Sequence, residues 1–258
     1  MKTKTVAVIY MDFHTTEHKK TLVEVESVLK NHDINYSAWN RDKLPEIDFK
    51  NIDLTIVVGG DGTFLRTSHF VSDTLMFGVN SDDSKKEGFF MQSNRNTFSS
   101  NFDKILSGKF KSGKLARLKA KLNSKELSDL ALNEFYIGSK TPYQMSRYNL
   151  KIDGVSEDQK SSGILIGTPC GSHAWIKSAG GDVINEDFLY LVREPYNGKL
   201  MKHSLIKGEF SEKIVIRSNM SNGIVVIDSL SKEYSFCQGD VLEISKGMPL
   251  NYVEFESE

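Results

Sequence analysis

The sequence contains few cysteines, and this scarcity excludes the class of small secreted proteins that depend on disulfide bonds. Only Cys170 and Cys237 are present among the 258 residues, and they are far apart in the chain. Two distant cysteines provide no disulfide framework and are typical of a reducing compartment. We therefore expect a cytoplasmic protein.

The sequence also lacks an excess of either charge and any long apolar run. Lys and Arg total 33 against 34 Asp and Glu, which gives a net charge of −1. This balance offers no basic surplus to attract nucleic acid or an acidic membrane surface. No stretch approaches the roughly 20 apolar residues that cross a bilayer, and the first residues show no signal-peptide pattern. We expect neither nucleic acid nor membrane as a partner, so any phosphate recognition must be local.

One basic run, at residues 109–121, resembles a nucleic-acid-binding patch. Its charges alternate with apolar residues, and no stacking aromatic residue lies between residues 111 and 121. This alternation predicts the solvent-exposed face of a strand. The run consists of Lys109, Lys111, Lys114, Arg117, Lys119 and Lys121.

The first part of the chain has the order of elements that is typical of an open, mostly parallel α/β sheet. Apolar runs predict strands at residues 5–10, 54–58 and 75–79, and helical spacing of apolar residues predicts a helix at 16–30. The second strand leads into a glycine-rich turn. Ligands of such sheets bind outside the carboxyl ends of the strands. We therefore expect a ligand-binding site at this turn.

After about residue 97 the pattern changes to the period-two alternation of β-strands. We therefore predict a Rossmann-like α/β domain at 1–97 and a mostly β, β-sandwich-like domain at 98–240. A C-terminal segment at 241–258 follows, and its return to the first domain is an open alternative. Further strands are predicted at 164–167, 188–193, 213–217, 223–227 and 241–244.

The glycine-rich turn reads Gly-Gly-Asp-Gly-Thr at residues 59–63. Glycines allow main-chain amides to approach phosphate oxygens, and a following helix directs its positive end at them. Asp61 would repel a polyphosphate unless it accepted a substrate proton or helped to hold a metal ion. The pattern indicates phosphoryl transfer with Asp61 as the base. The candidate phosphate- and ATP-binding residues are Gly59, Gly60, Gly62 and Thr63.

Three motifs in the same order resemble those of the NAD kinase family. The first is the turn, a form of which lipid kinases and phosphofructokinases also carry. The second is Asn133-Glu134, within residues 131–137, and an adjacent amide and carboxylate suit a nucleoside. The third is the segment 167–175, followed by Ser-Ala-Gly-Gly at 178–181. The resemblance covers most of the chain and selects NAD kinase among these relatives.

The resemblance implies an NAD kinase, which transfers the terminal phosphoryl group of ATP to the 2′-hydroxyl of the adenosine ribose of NAD. It implies that Mg²⁺ arrives with ATP without a dedicated protein cage, and that the chain forms a homodimer or larger homo-oligomer. The β domain would bind NAD. The residues implied in NAD binding are Asp61, Gly62, Phe64, Asn133, Glu134, Ser162, His173, Ala174, Trp175 and Ser178.

Several positions depart from the family pattern. Ser162 stands where the family usually has Asp, and the usual Thr-Ala-Tyr is here His173-Ala174-Trp175. The loop after Asn80 is longer than the common form. These changes bear on the contacts at the nicotinamide side. Together with residues 160–163 and 192–195, they resemble the branch that contains the animal mitochondrial NAD kinases.

Two alternatives and one further motif remain to be tested. A related kinase could act on a lipid or another nucleoside, and a non-catalytic protein could sense NAD or NADP with the same pocket.

Separately, residues 14–18 fit the His-x-x-Glu-His zinc pattern. Their position at the start of the first helix favours a solvated helix end instead.

Overall fold

The computed structural model describes residues 5–12, 15–199 and 202–255. The chain divides into two compact units. The first comprises the chain up to Leu115 together with the segment from Leu250 onward, and the second comprises Ala116–Pro249. Within the described ranges, no helix is both long enough and apolar enough to cross a membrane.

The first unit alternates short strands with helices. The longest helix begins after Thr15, whose side chain accepts the main-chain N–H of His18, and it buries Leu22, Val25 and Leu29 at helical spacing. A threonine in this position satisfies an otherwise unpaired helical N–H. In chain order the elements are β1 (Thr5–Tyr10), α1 (Thr16–Asn31), β2 (Asn35–Asn40), two 3₁₀ turns (Arg41–Glu46 and Phe49–Asn51), β3 (Leu54–Gly59), α2 (Asp61–Ser68), β4 (Leu75–Asn80), β5 (Ser93–Asn94), α3 (Phe98–Leu106) and β6 (Lys111–Leu115).

The second unit consists mainly of strands with two single-turn helices. Its elements are β7 (Leu118–Leu122), β8 (Lys125–Glu126), β9 (Glu134–Ser139), β10 (Ser146–Ile152), β11 (Val155–Ser161), β12 (Ile164–Gly167), α4 (Pro169–Ser172), α5 (Trp175–Ser178), β13 (Phe188–Val192), β14 (Lys207–Phe210), β15 (Lys213–Ser218), β16 (Gly223–Ile227), β17 (Glu233–Ser235) and β18 (Val241–Lys246). The last strand, β19 (Leu250–Glu254), belongs to the first unit.

The sheet of the first unit has the order β2-β1-β3-β4-β19-β6, and β5 pairs with β4. All pairs are parallel except β19 with β6. Both central strands β3 and β4 are buried at every residue, as expected when both faces of a parallel sheet are covered. Gly59 pairs with Asn80 at the carboxyl ends of β3 and β4. The turn after β3 and the loop after β4 therefore start side by side.

The second unit is a β-sandwich of two antiparallel sheets. Their orders are β11-β10-β15-β18-β7-β8 and β14-β13-β12-β9-β16-β17. Alternate residues of both sheets, such as Ile214 and Phe135, enter one shared core. The other face of β12 and β13 is covered too, because Leu165 and Leu191 pack with Ile176. Because both faces of β12 and β13 are buried, these strands are apolar throughout.

The unit boundaries differ from the predicted ones at both ends. Helix α3 belongs to the first unit because Phe98, Phe102 and Ile105 pack into the core of the parallel sheet. The first boundary consequently follows Leu115 rather than residue 97. At the C-terminal end, β18 pairs with β15 and β7 in the sandwich, and β19 alone joins the parallel sheet.

The basic run contains one side chain that does not face solvent. Arg117 is 2% exposed, and its guanidinium donates from Nε to the carbonyl of Met248 (2.9 Å) and from Nη2 to that of Pro249 (3.3 Å). The prediction of a solvated face is wrong for this residue. Its charge is instead stabilised by main-chain carbonyls of the segment that precedes β19, as a buried charge requires.

Candidate active site

The Gly-Gly-Asp-Gly turn joins the end of β3 to the start of α2. Gly60 is the N-cap residue of the helix and, as a glycine, offers no side-chain acceptor to the first N–H groups, which carry the partial positive charge of a helix N-terminus. A Cβ at Gly62 would meet no atom within 4 Å, whereas a Cβ at Gly59 would lie 2.8 Å from the side chain of Thr63. Packing therefore explains the first glycine and leaves the open space above Gly62 for a ligand.

The carboxylate of Asp61 is held through one of its oxygens. The main-chain N–H of Phe90 donates to Asp61 Oδ1 (2.9 Å), and Asp61 itself is half-buried. No described residue forms a hydrogen bond with its second oxygen. One oriented and one free oxygen are the arrangement that a general base requires.

Phe64 lies in the core and not at the surface of the turn. Its side chain has no exposed area and stacks on Phe90, with ring centroids 4.9 Å apart and an interplanar angle of 7°. The side chain thus presents no exposed area at the turn, and its contact with NAD stays a prediction. Helix α2 directs position 64 at the core, and the stack supports the residue that orients Asp61.

Asn133 and Glu134 form a polar pair at the start of β9, in which Asn133 is half-buried and Glu134 is buried. Glu134 is 3% exposed, and its Oε2 together with Asn133 Oδ1 has no hydrogen-bond partner within the part of the chain that the structure describes. Buried polar atoms in native proteins are normally satisfied. Two adjacent unsatisfied oxygens indicate a place for donor groups of a ligand.

Asp228 fixes the main chain around this pair, and the sequence analysis missed it. Its carboxylate accepts the N–H groups of Leu132 (2.8 Å), Asn133 (2.8 Å) and Glu134 (3.0 Å). Asp228 is 2% exposed and has a φ of 52°, a conformation that Asp and Asn tolerate better than most residues. The only sequence signal for it is an aspartate that directly follows the apolar strand β16.

The electrostatics of the pair favour a neutral carboxyl group. Burial, and then the negative charge of Asp228, raise the pKa of Glu134 to about 8. Both causes disfavour the charged form of an acid. The raised pKa favours the protonated form of Glu134 near neutral pH, and this form can donate a hydrogen bond as well as accept one.

The Thr-Pro-Cys-Gly-Ser segment packs directly on the same main chain. Thr168 donates from its N–H to the carbonyl of Asn133 (2.9 Å) and from Oγ1 to that of Leu132 (2.5 Å). A Cβ at Gly171 would lie 2.1 Å from the carbonyl oxygen of Asn133, so only glycine permits this approach. The second and third motifs are thus brought together within the sandwich unit.

Two further residues that are predicted to contact NAD, Trp175 and Ser162, are connected by an aromatic stack. The indole of Trp175 packs on Tyr136 (centroids 5.4 Å apart) and below the guanidinium of Arg193 (5.1 Å). Tyr136 donates from its hydroxyl to the carbonyl of Ser162 (3.2 Å). The structure thus connects Ser162 to Trp175 through Tyr136. Among the other predicted residues, His173 and Ser178 are exposed and Ala174 is half-buried.

The zinc pattern lies only partly within the described residues. His14 is outside them, whereas Glu17 binds Lys20 (2.9 Å) and Arg95 (2.5 Å) through its carboxylate. Across residues 5–12, 15–199 and 202–255, no group of three or more His, Cys, Asp or Glu side chains could hold a metal ion.

A parallel sheet that ends in a glycine-rich turn with an oriented carboxylate defines an enzyme of phosphoryl transfer. Comparisons with known proteins agree with this class. The ATP-NAD kinase N-terminal domain matches residues 2–108, and the ATP-NAD kinase C-terminal domain matches residues 132–253. The chain belongs to the ATP-NAD kinase family and is a kinase that uses NAD and ATP.

Individual relatives cover nearly the whole chain. A probable NADH kinase of Oryza sativa is 30% identical over 93% of this chain and 82% of its own length. An NAD kinase from Archaeoglobus fulgidus, solved in complex with ATP, is 25% identical, with a TM-score of 0.76 over 98% of this chain and 94% of that one. A yeast NADH kinase is 16% identical and shares the fold, with a TM-score of 0.81 over 99% of this chain and 85% of that one.

Proposed function

We propose that Asp61 is the catalytic base that accepts the proton of the 2′-hydroxyl of the adenosine ribose of NAD. The oxygen of that hydroxyl attacks the terminal phosphorus of ATP, the bond to the bridging oxygen breaks, and NADP and ADP are formed. The observation that carries this proposal is the Asp61 carboxylate, which is held by Phe90 through one oxygen only. The other oxygen is available to the substrate.

The phosphate groups of the donor bind at Gly59, Gly60, Gly62 and Thr63. The uncapped start of α2 and the open space at Gly62 support this assignment, because helix N-termini bind anions through main-chain N–H groups. The transferred group then lies on the turn that carries Asp61. No covalent phospho-enzyme is required.

NAD binds at Asn133 and Glu134 through donor groups such as the adenine amine and ribose hydroxyls. The two buried oxygens of this pair support the assignment, because a ligand could donate to both of them where no described residue does. The protonated Glu134 can also donate to a hydroxyl oxygen. Ser162, His173, Ala174, Trp175 and Ser178 provide the remaining contacts.

Mg²⁺ would arrive with ATP and would offset the negative charge of its phosphate groups. Phosphate oxygens and water would supply most of its ligands, as Mg²⁺ commonly accepts. Its affinity should accordingly depend on the presence of ATP.

NADH is a second acceptor. Ser162 is uncharged where the family usually has Asp, so this position offers no carboxylate to favour the cationic nicotinamide ring of NAD over the neutral ring of NADH. The rice relative is named a probable NADH kinase. We also propose that the protein is cytoplasmic and forms a homodimer or larger symmetric oligomer.

The test is formation of NADP or NADPH by the purified protein with ATP and Mg²⁺. Asp61→Asn should lower kcat by at least about a thousandfold, the range that loss of a general base reaches. The matched control is Asp73→Asn, which neutralises an exposed carboxylate of the same unit and should leave kcat unchanged. A wild-type protein that binds NAD without turnover would support a sensor, and turnover of another acceptor alone would support a related kinase.

A further inference from the structure

Two positively charged side chains approach the glycine-rich turn, and neither belongs to its motif. Lys86 lies in the long loop after β4, and its methylene groups pack on Gly60, where a Cβ would lie 2.8 Å from Lys86 Cδ. Arg41 begins the 3₁₀ turn after β2, and its Nη1 lies 3.5 Å from Thr63 Oγ1. Lys86 therefore lies against Gly60, the second residue of the turn, and Arg41 lies near Thr63, its last residue.

Neither cation forms an ion pair among the described residues. Lys86 donates from Nζ to two neutral atoms, Ser81 Oγ (2.9 Å) and Met11 Sδ (3.4 Å). Another arginine close in sequence does have a carboxylate partner, since Arg66 binds Asp42 (2.8 Å). Within the described ranges, Lys86 and Arg41 therefore have no carboxylate in direct contact, and Asp82 acts on Lys86 only from a distance.

The two like charges also act on each other. Burial lowers the pKa of Lys86, the nearby charge of Asp82 opposes this effect, and the charge of Arg41 lowers the pKa by a smaller amount. Repulsion between like charges grows as water is excluded, and Asp82 offsets it without forming an ion pair with Lys86. An anion bound between them and the turn would remove this repulsion.

The loop that carries Lys86 is held in place by Asn80. Asn80 Oδ1 accepts the N–H of Asp82 (3.1 Å), and Asn80 Nδ2 donates to the carbonyl of Lys86 (3.2 Å). The N–H of Lys86 in turn donates to the carbonyl of Asp82 (3.1 Å). Asn80 ends β4 and pairs with Gly59, so the sheet itself sets the position of Lys86 relative to the turn.

We propose that Lys86 and Arg41 bind the polyphosphate chain of the phosphoryl donor at Gly60 and Thr63. This inference rests on the proposed function, in which residues 59–63 bind phosphate. Lys86 contributes a compact charge, and Arg41 contributes a planar group that can bind two phosphate oxygens. The longer loop after Asn80 is the feature of this chain that places Lys86 there.

The test compares Lys86→Met with Lys85→Met, which removes an exposed charge one position away. Calorimetry measures binding of inorganic tripolyphosphate, and steady-state kinetics measure the KM values for ATP and NAD. Lys86→Met should weaken tripolyphosphate binding and raise the KM for ATP at least about tenfold, because a charged hydrogen bond contributes that much. The KM for NAD and the behaviour of Lys85→Met should stay within about twofold of the wild type.

Lys86→Arg keeps the charge and should recover most of the binding, which separates a charge effect from a folding defect. Arg41→Gln should weaken tripolyphosphate binding as well. Wild-type affinity in Lys86→Met, or equal losses in Lys86→Met and Lys85→Met, would overturn the inference. If the wild type binds tripolyphosphate through Lys86 but makes no NADP, the proposed function fails and the phosphate site stands.

Discussion

The polar groups of the glycine-rich turn in the first unit and those of the Asn-Glu pair in the second differ in solvent exposure and in their hydrogen-bond partners. At the turn, Gly62 is exposed, Asp61 is half-buried, and neither of the two nearby cations forms an ion pair with a described residue. At the pair, Glu134 is 3% exposed, and Asp228 accepts all three neighbouring N–H groups. The turn is open and charged, which suits the proposed binding of phosphate, whereas Glu134 is buried and the main chain of the pair is fixed, which suits the proposed recognition of a nucleoside.

The largest effect on stability is expected at Asp228. Asp228→Ala removes the acceptor of three buried N–H groups and places alanine at a φ of 52°. We expect a loss of about 3 to 5 kcal/mol in the free energy of unfolding, because unpaired buried donors are costly. Chemical denaturation measures this loss.

Asp228→Asn provides the matched control. Asparagine tolerates the same backbone conformation and keeps one side-chain acceptor, so this variant should fold and lose less stability. Its KM for NAD should rise while its KM for ATP stays near the wild-type value. Equal changes in both KM values would show that Asp228 acts on the whole protein and not on the Asn133–Glu134 pair.

A smaller effect with a defined pH dependence is expected at Glu134. Its pKa is about 8 in the folded protein against 4.5 as the ordinary value, so the folded state binds more protons between these limits. The contribution of Glu134 to stability is therefore greatest below pH 4.5 and declines as the pH rises to about 8.

Glu134→Gln does not titrate and should be more stable than the wild type at pH 8, by roughly 2 to 4 kcal/mol. Thermal unfolding at several pH values measures the difference, which should vanish near pH 4. Glu126→Gln, at an exposed position of the same unit, should show no such trend. A constant difference at all pH values would contradict a neutral Glu134.

The smallest effect is expected at Gly62, where stability and activity should change in opposite directions. Gly62→Ala should raise the free energy of unfolding by about 0.5 to 1 kcal/mol, because alanine favours the helix and meets no neighbouring atom. It should lower kcat/KM for ATP, because the methyl group occupies the proposed phosphate position. Ser99→Ala, an exposed site in α3, should stabilise slightly without a kinetic effect.

The comparison also explains what the sequence could predict. The turn is contiguous, and strands β3 and β4 are continuous apolar runs, so local patterns indicated both the parallel sheet and the position of Asp61. Asp228 reaches its partners across 94 to 96 residues, and no local pattern predicts such a contact. For the same reason, no local pattern predicts that the charge of Asp228 raises the pKa of Glu134.

Other differences arose because neighbours along the chain need not share an environment. Phe64 belongs to the motif but points into the core, since the buried face of α2 includes this position. Arg117 lies in a basic run but is buried by the segment that leads into β19. In both cases tertiary packing, which a local pattern does not contain, decides where the side chain lies.

The most direct test of the central claim compares Asp61→Asn with Asn133→Ala for both NAD affinity and turnover at saturating substrate. Asp61→Asn should lose turnover and keep its Kd for NAD within about tenfold. Asn133→Ala should raise the Kd for NAD at least about tenfold, because it removes a buried ligand contact, and keep most of its kcat. Loss of NAD binding in Asp61→Asn, or loss of kcat alone in Asn133→Ala, would contradict the separate roles of the turn and the pair.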